Sequence, residues 1–397
     1  MNNLQKRAKN FTEPQKYKDL GLYPYFRVIE SGQDAEVLMG GHHISMFGSN
    51  SYLGLTSHPK VKEAAIAAIK KYGTGTAGSR FLNGTLDIHV ELEHRLANFV
   101  NKEAALAFST GFQSNLGAIP TVVGRNDTAI IDEQSHASII DATRLSFGRI
   151  LKYRHNDMES LEKVLKNLDE NNNGSLKLIV TDGLFSMEGD IAHVDKIVEL
   201  ARKYDASVMI DDAHGLGVLG ENGTGTVNHF GLDGEVEMII GTFSKSLASI
   251  GGFIAGSKEL INYLQHNARS LIFSASLPPS SAASVIAALD IIENEPEHVE
   301  KLWENTHHAQ KRFQELGMDV GNSETPIIPV YIRDNDKAFI ISKMLLDKGV
   351  FVNPVITPAV RPEDSLLRFS LMATHSIDQI DDAIDKIYAS GKELGIY

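Results

Sequence analysis

The sequence has no cysteine, which excludes disulfides and thiolate metal sites and is compatible with a reducing compartment. It lacks any run approaching the ~18 apolar residues of a membrane-spanning helix. Met1 to Lys18 is polar and mixed in charge, without the apolar core of an export signal. Positive charge is in deficit, since 38 Lys plus Arg against 51 Asp plus Glu leave a formal net charge of -13. That balance disfavours phosphate backbones and anionic lipid as main partners. No nucleic-acid partner is expected, and the expected location is cytoplasmic. The amphipathic opening around Leu20, Leu22, Tyr23, Tyr25 and Phe26 leaves a peripheral contact at the inner membrane open, although such stripes usually pack on protein.

What is present suits an α/β fold of two unequal domains. The 397 residues can bury a large core. After an arm over 1–48, short β-branched runs alternate with amphipathic stretches, the pattern of a mostly parallel sheet covered by helices on both faces. Strands are predicted at Ala104 to Phe108, Thr128 to Asp132, Leu178 to Asp182, Ser207 to Asp211 and Met238 to Gly241. Helices are predicted at Val61 to Tyr72, Asp87 to Val100, Met158 to Leu168 and Val194 to Tyr204, where apolar residues recur at three and four. A large domain over 49–281 and a smaller α+β domain over 282–397 are expected. The Asn-rich stretch from Asp169 to Ser175 reads as a surface loop.

Gly73, Gly75 and Gly78 spell G-x-G-x-x-G, but they follow a helix instead of a strand, so a dinucleotide-binding turn is not expected. A stronger signal lies at the carboxyl ends of the predicted strands, where open α/β sheets bind ligands. Ser109 to Asn115 joins a strand to a helix whose free N–H groups suit an anion, with glycine permitting close approach. Asp211 ends an apolar strand and needs a cationic or hydrogen-bonding partner. A protonated pyridine nitrogen, as in pyridoxal phosphate (PLP), is such a partner, and His214 lies within reach of the same ring. Lys245 sits among hydroxyls at another strand end, where desolvation would free its amine to form an imine. His136 supplies an imidazole able to stack on a flat ring. Each feature alone has an ordinary structural explanation; together, on different strands of one sheet, they point to a PLP site with no metal.

At these residues the chain resembles the fold-type I PLP enzymes (aspartate aminotransferase-like), and within them the α-oxoamine synthases. The likeness runs from Asn50-Ser51-Tyr52-Leu53-Gly54-Leu55 to Arg368-Phe369-Ser370-Leu371-Met372-Ala373-Thr374-His375. Gly73 to Thr85, and Ser244 directly before Lys245, are similar to the branch that joins L-serine to a long-chain acyl-CoA. The 2-amino-3-ketobutyrate ligases, 8-amino-7-oxononanoate synthases and 5-aminolevulinate synthases tend to carry glycine before the lysine. The resemblance implies a decarboxylative condensation of L-serine with palmitoyl-CoA, the first step of sphingolipid biosynthesis. It implies Lys245 as imine lysine and base, Asp211 as pyridinium partner and His136 as stacking ring in contact with the serine carboxylate. It further implies Ser186 and His214 at the phenolic oxygen, and Gly111, Phe112, Thr242 and Ser244 at the phosphate. Asn50 and Arg368 are implied at the substrate carboxylate, and Ser274 at the phosphate of the other subunit in a homodimer. A sister synthase acting on glycine or alanine is the nearest alternative. A non-catalytic scaffold subunit is a more distant one, since a scaffold has no use for an imine lysine.

Overall fold

The run Lys177–Asp182 is buried at every position, as expected of a strand covered on both faces. Its side chains divide by the two-residue period of a strand: Leu178 and Val180 enter one apolar core, Ile179 the other. In the computed structural model, which describes residues 1–170, 174–357 and 359–397, this strand belongs to a seven-stranded sheet. The strands in chain order are β1 (Glu36–Met39), β2 (His42–Met46), β3 (Ala104–Phe108), β4 (Thr128–Asp132), β5 (Arg149–Tyr153), β6 (Lys177–Asp182), β7 (Ser207–Asp211), β8 (Met238–Thr242), β9 (Gly252–Gly256), β10 (Ile327–Tyr331), β11 (Val350–Phe351), β12 (Asn353–Val355) and β13 (Leu366–Ser370).

The large sheet has the order β3-β9-β8-β7-β6-β4-β5. Only β9 runs against its neighbours. The carboxyl ends of β3, β4, β6, β7 and β8 therefore share one edge, where the loops carrying the polar residues singled out above emerge. One face is covered by the helices Pro59–Tyr72, Asp87–Phe99, Met158–Asp169, Val194–Lys203 and Pro279–Asn294. The other is covered by Gly111–Val122, Ala137–Leu145 and Lys258–Asn267.

A second sheet, β10-β13-β12, is antiparallel throughout and carries Arg368 opposite Pro329 and Asn353. Helices Glu297–Glu315, Asn335–Asp347 and Ile377–Glu393 accompany it. The boundary expected at 281/282 falls inside the continuous helix Pro279–Asn294, which packs on Pro59–Tyr72 and Asp87–Phe99. That helix and the next, Glu297–Glu315, are separated at Glu295 and Pro296, because proline cannot continue the hydrogen-bonded ladder.

The 1–48 segment holds two short helices, Asn3–Lys9 and Glu13–Asp19, and the β1–β2 hairpin, which joins β11 in a third sheet. In the amphipathic opening Tyr25 packs edge-on against Phe339, while Leu20 and Phe26 stay exposed. No helix of the described residues is long and apolar enough to cross a membrane. Gly73 to Gly78 follow a helix, as expected. A side chain at Gly78 would collide with Asn83, so this glycine serves loop packing. Of the loop expected from Asp169 to Ser175, residues 171–173 lie outside the described residues.

Candidate active site

At the shared edge a cavity of about 340 Å³ opens, lined from four strand ends by Gly111, His136, Asp211, His214, Thr242 and Lys245 among others. Its floor begins with the helix Gly111–Val122, whose N-cap Thr110 accepts from the Gln113 N–H at 3.1 Å. A Cβ on Gly111 would lie 2.8 Å from Thr242 Cβ and Oγ1, so only glycine lets the helix start approach the β8 end this closely. Thr242 Oγ1 lies 3.0 Å from Ser244 Oγ. Free helix N–H groups and two hydroxyls thus converge as an anion cradle.

One helical turn beyond Gly111, buried Asn115 donates from Nδ2 to Asp211 Oδ2 at 2.7 Å and to Ser138 Oγ at 2.9 Å. Ser138 Oγ lies 2.7 Å from His136 Nδ1, which also accepts from the Ser138 N–H at 3.3 Å. The donors fix the direction of the chain: Ser138 receives from Asn115 and gives to His136, leaving the His136 proton on Nε2. Although His136 as a residue is exposed where it lines the cavity, desolvation of its ring lowers its pKa; Asp211 opposes this and Lys245 adds to it.

Asp211 is buried and also accepts from the Ala213 N–H at 3.1 Å. Beside it, Asp182 is held well above the usual carboxylate range, first by burial and then by the Asp211 charge. It accepts from the His136 N–H at 3.0 Å. Among the described residues neither carboxylate has a Lys, Arg or His ion-pair partner within 4 Å. Lys245 is the cation whose field they feel. Burial pushes its pKa down to about 7, with Asp211 pulling upward and Arg368 downward. An amine near pKa 7 is both a nucleophile and a usable base at neutral pH.

Arg368 is 5% exposed and has no carboxylate partner among the described residues. Its guanidinium donates to the Ser186 carbonyl at 2.5 Å, to Ser370 Oγ at 2.7 Å and to Tyr52 Oη at 3.3 Å. Tyr52 Oη lies 2.7 Å from His214 Nδ1. Because Arg368 can only donate, the tyrosine proton is left for His214 Nδ1, and His214 carries its own proton on Nε2. Burial, then the Lys245 and Arg368 charges, hold the His214 pKa well below its ordinary value, so the ring is neutral.

Of the residues expected from sequence, Gly111, Phe112, His136, Asp211, His214, Thr242, Ser244 and Lys245 line the one cavity. Arg368 joins them through Tyr52 and His214. Ser186 enters through its carbonyl. Asn50 lies instead in an adjoining cavity of about 660 Å³ that also touches Ser244, with its buried Oδ1 unpartnered. Ser274 lies outside the cavity and accepts from Gln113 Nε2 at 3.1 Å. Asn115, Ser138, Asp182 and Tyr52 complete the network and are not singled out by sequence. The available signal was position: Asn115 one turn after the cradle glycine, Asp182 at a strand end.

Among the described residues Asp211 has no cation within ion-pair distance and Arg368 has no anion. A pyridinium nitrogen supplies the first, an amino-acid carboxylate the second, and the cradle suits a phosphate. PLP fits these residues, and fold and pocket together define a PLP-dependent enzyme of fold type I. The family model for aminotransferase class I and II matches residues 43–387. The serine palmitoyltransferase of Sphingobacterium spiritivorum is 57% identical over 393 residues, covering 99% of this chain and 98% of that one. An 8-amino-7-oxononanoate synthase of Bacillus velezensis is 45% identical over 382 residues, 96% of this chain and 97% of its own. A solved structure of SPT with a PLP internal aldimine superposes with a TM-score of 0.96 at 35% identity, covering 100% of both chains. This chain belongs to the aminotransferase class I and II family and, within it, to the serine palmitoyltransferases.

Proposed function

We propose that this chain condenses L-serine with a long-chain acyl-CoA, palmitoyl-CoA in the first instance, releasing CoA and CO2 and giving 3-ketodihydrosphinganine. The observation that carries the reading is the half-buried Lys245 sharing one sheet-edge cavity with Asp211, His136 and the Gly111 cradle, its pKa lowered to about 7 by desolvation, close to a buried Arg368 that has no acidic partner among the described residues. When bound, PLP supplies the electron sink that makes an amino-acid α-carbon acidic and later accepts the electrons released with CO2.

The chain's own residues do the rest. Lys245 Nζ would hold the cofactor through its aldehyde and, as an amine with a pKa of about 7, would serve as the base for the α-proton. Asp211, positioned by Asn115, keeps the ring nitrogen charged. His136 covers the ring and gives its Nε2–H toward the serine carboxylate, and Arg368 receives that carboxylate through its planar donor fork. His214 Nε2–H, with Ser186, serves the phenolic oxygen. Gly111, Phe112, Thr242 and Ser244 hold the phosphate. Asn50 contributes from the neighbouring cavity, whose unpartnered Oδ1 is suited to a substrate donor.

A homodimer with its sites at the interface is part of the proposal. Ser274 lies outside its own chain's cavity, next in sequence to exposed Phe273, and Phe81, Leu82 and Ile250 are exposed as well, apolar side chains that a partner would cover. The cytoplasm, with or without a peripheral membrane contact, is the proposed location.

The testing experiment is a mass-spectrometric product assay of PLP-loaded protein with palmitoyl-CoA and serine, glycine or alanine in parallel. The serine-derived β-ketoamine should dominate. Preferential use of glycine or alanine would transfer the chain to a sister synthase, and no product with any of them would favour a scaffold. Arg368→Leu should weaken serine binding roughly 10- to 100-fold, the cost of a charge-assisted hydrogen bond, with the imine absorbance kept. An unchanged serine titration would remove Arg368 from carboxylate binding.

A further inference from the structure

Away from the active site, His58, Glu295 and His298 bring one ligand atom each to within 4.8 Å of one another. They come from three backbone positions set at helix ends. His58 is the N-cap of Pro59–Tyr72, fixed in the extended region before a proline. Glu295 caps the end of Pro279–Asn294, and His298 lies in the first turn of Glu297–Glu315. The His58 and His298 rings meet edge to face at 6.0 Å between centroids.

The valences are also arranged for a cation. Glu295 Oε1 is taken by Lys60 Nζ at 2.5 Å, while Oε2 faces His298 Nε2 at 3.9 Å. His58 Nδ1 is buried and has no hydrogen-bond partner, an unusual state for an imidazole nitrogen. The mechanism uses none of these groups. Two imidazoles and a carboxylate form a ligand set for Zn2+ or a similar borderline divalent cation. Tetrahedral Zn2+ with bonds of about 2.0–2.1 Å needs ligand atoms roughly 3.3–3.5 Å apart, so the observed spacing closes by small side-chain rotations.

We infer that His58, Glu295 and His298 form a divalent transition-metal site that clamps the start of Pro59–Tyr72 to the joint at Glu295 and Pro296, where the helices covering the large sheet give way to those of the smaller domain. Solvent completes the coordination. Lys60 restrains affinity, because its ammonium shares the Glu295 carboxylate of the ligand set.

The test is calorimetric titration of Zn2+ into tag-free PLP holoenzyme stripped beforehand with a chelator, together with melting curves with and without Zn2+. Wild type should bind one Zn2+ per chain saturably at micromolar cation and melt higher in its presence. Both His58→Ala and His298→Gln should lose affinity by at least the ~10- to 100-fold cost of disturbing a metal's supporting partners, and lose the melting shift. Lys60→Gln should bind more tightly, an effect of opposite sign that general destabilisation would not produce. Imine absorbance and metal-free melting report that each variant is folded. The inference is overturned if wild type shows no saturable binding, or if both histidine variants bind Zn2+ as wild type does.

Discussion

Lys245→Ala is expected to lower product formation by at least ~10³-fold, since in the proposed function it would remove the covalent nucleophile and the base together, and to abolish the imine absorbance of the bound cofactor. The structural reason is the local field. Lys245 is half-buried, and its desolvation favours the neutral amine, bringing its pKa down to about 7 while the Asp211 charge limits the fall. Among the described residues no other lysine lines this cavity, so none is placed to substitute. Cofactor should still enter the Lys245→Ala pocket, because the cradle at Gly111, Thr242 and Ser244 is untouched; equilibrium dialysis with PLP would check that. Turnover near wild type would contradict the role.

The second large effect is expected at Asp211. Asp211→Asn keeps the shape and can still accept from Asn115, but it removes the charge that would hold a pyridinium. Turnover should fall by about 10²-fold or more, the scale for losing one preorganised electrostatic contact to developing charge, and PLP should dissociate more readily. The two carboxylates can be told apart by the same measurement. Asp182 is already biased toward its protonated form by burial and by Asp211, so Asp182→Asn should be far milder. Equal losses at both positions, or wild-type turnover in Asp211→Asn, would contradict the assignment.

The parts of the fold that were legible in sequence are those whose residues are buried on both faces. β3, β4 and β7 start and stop where their β-branched and apolar runs do. β9 was not legible, because Gly-Phe-Ile-Ala-Gly carries a glycine at each end. Its residues are nonetheless buried throughout, and a Cβ at Gly252 would meet the Gly111 backbone at 2.5 Å, so close packing with the cradle requires the glycine that obscures the strand. β5 escaped for the opposite reason: it is an edge strand and mostly solvent-exposed, so its pattern is polar.

The site divides the same way. Lys245, Asp211, His136 and the Gly111 cradle each follow a strand and carry chemistry legible from residue type and place. Asn115 and Tyr52 do not, since their roles are set by partners 96 and 162 residues away. A buried asparagine on an apolar helix has many ordinary explanations until Asp211 and Ser138 are seen on its two amide hydrogens.

Borohydride reduction of the PLP-loaded protein, followed by peptide mapping, tests the central claim most directly, because reduction fixes the cofactor to whichever amine holds it. The phosphopyridoxyl group should be found on the peptide containing Lys245 and at that residue. Its recovery on another lysine, or on none, would contradict the account.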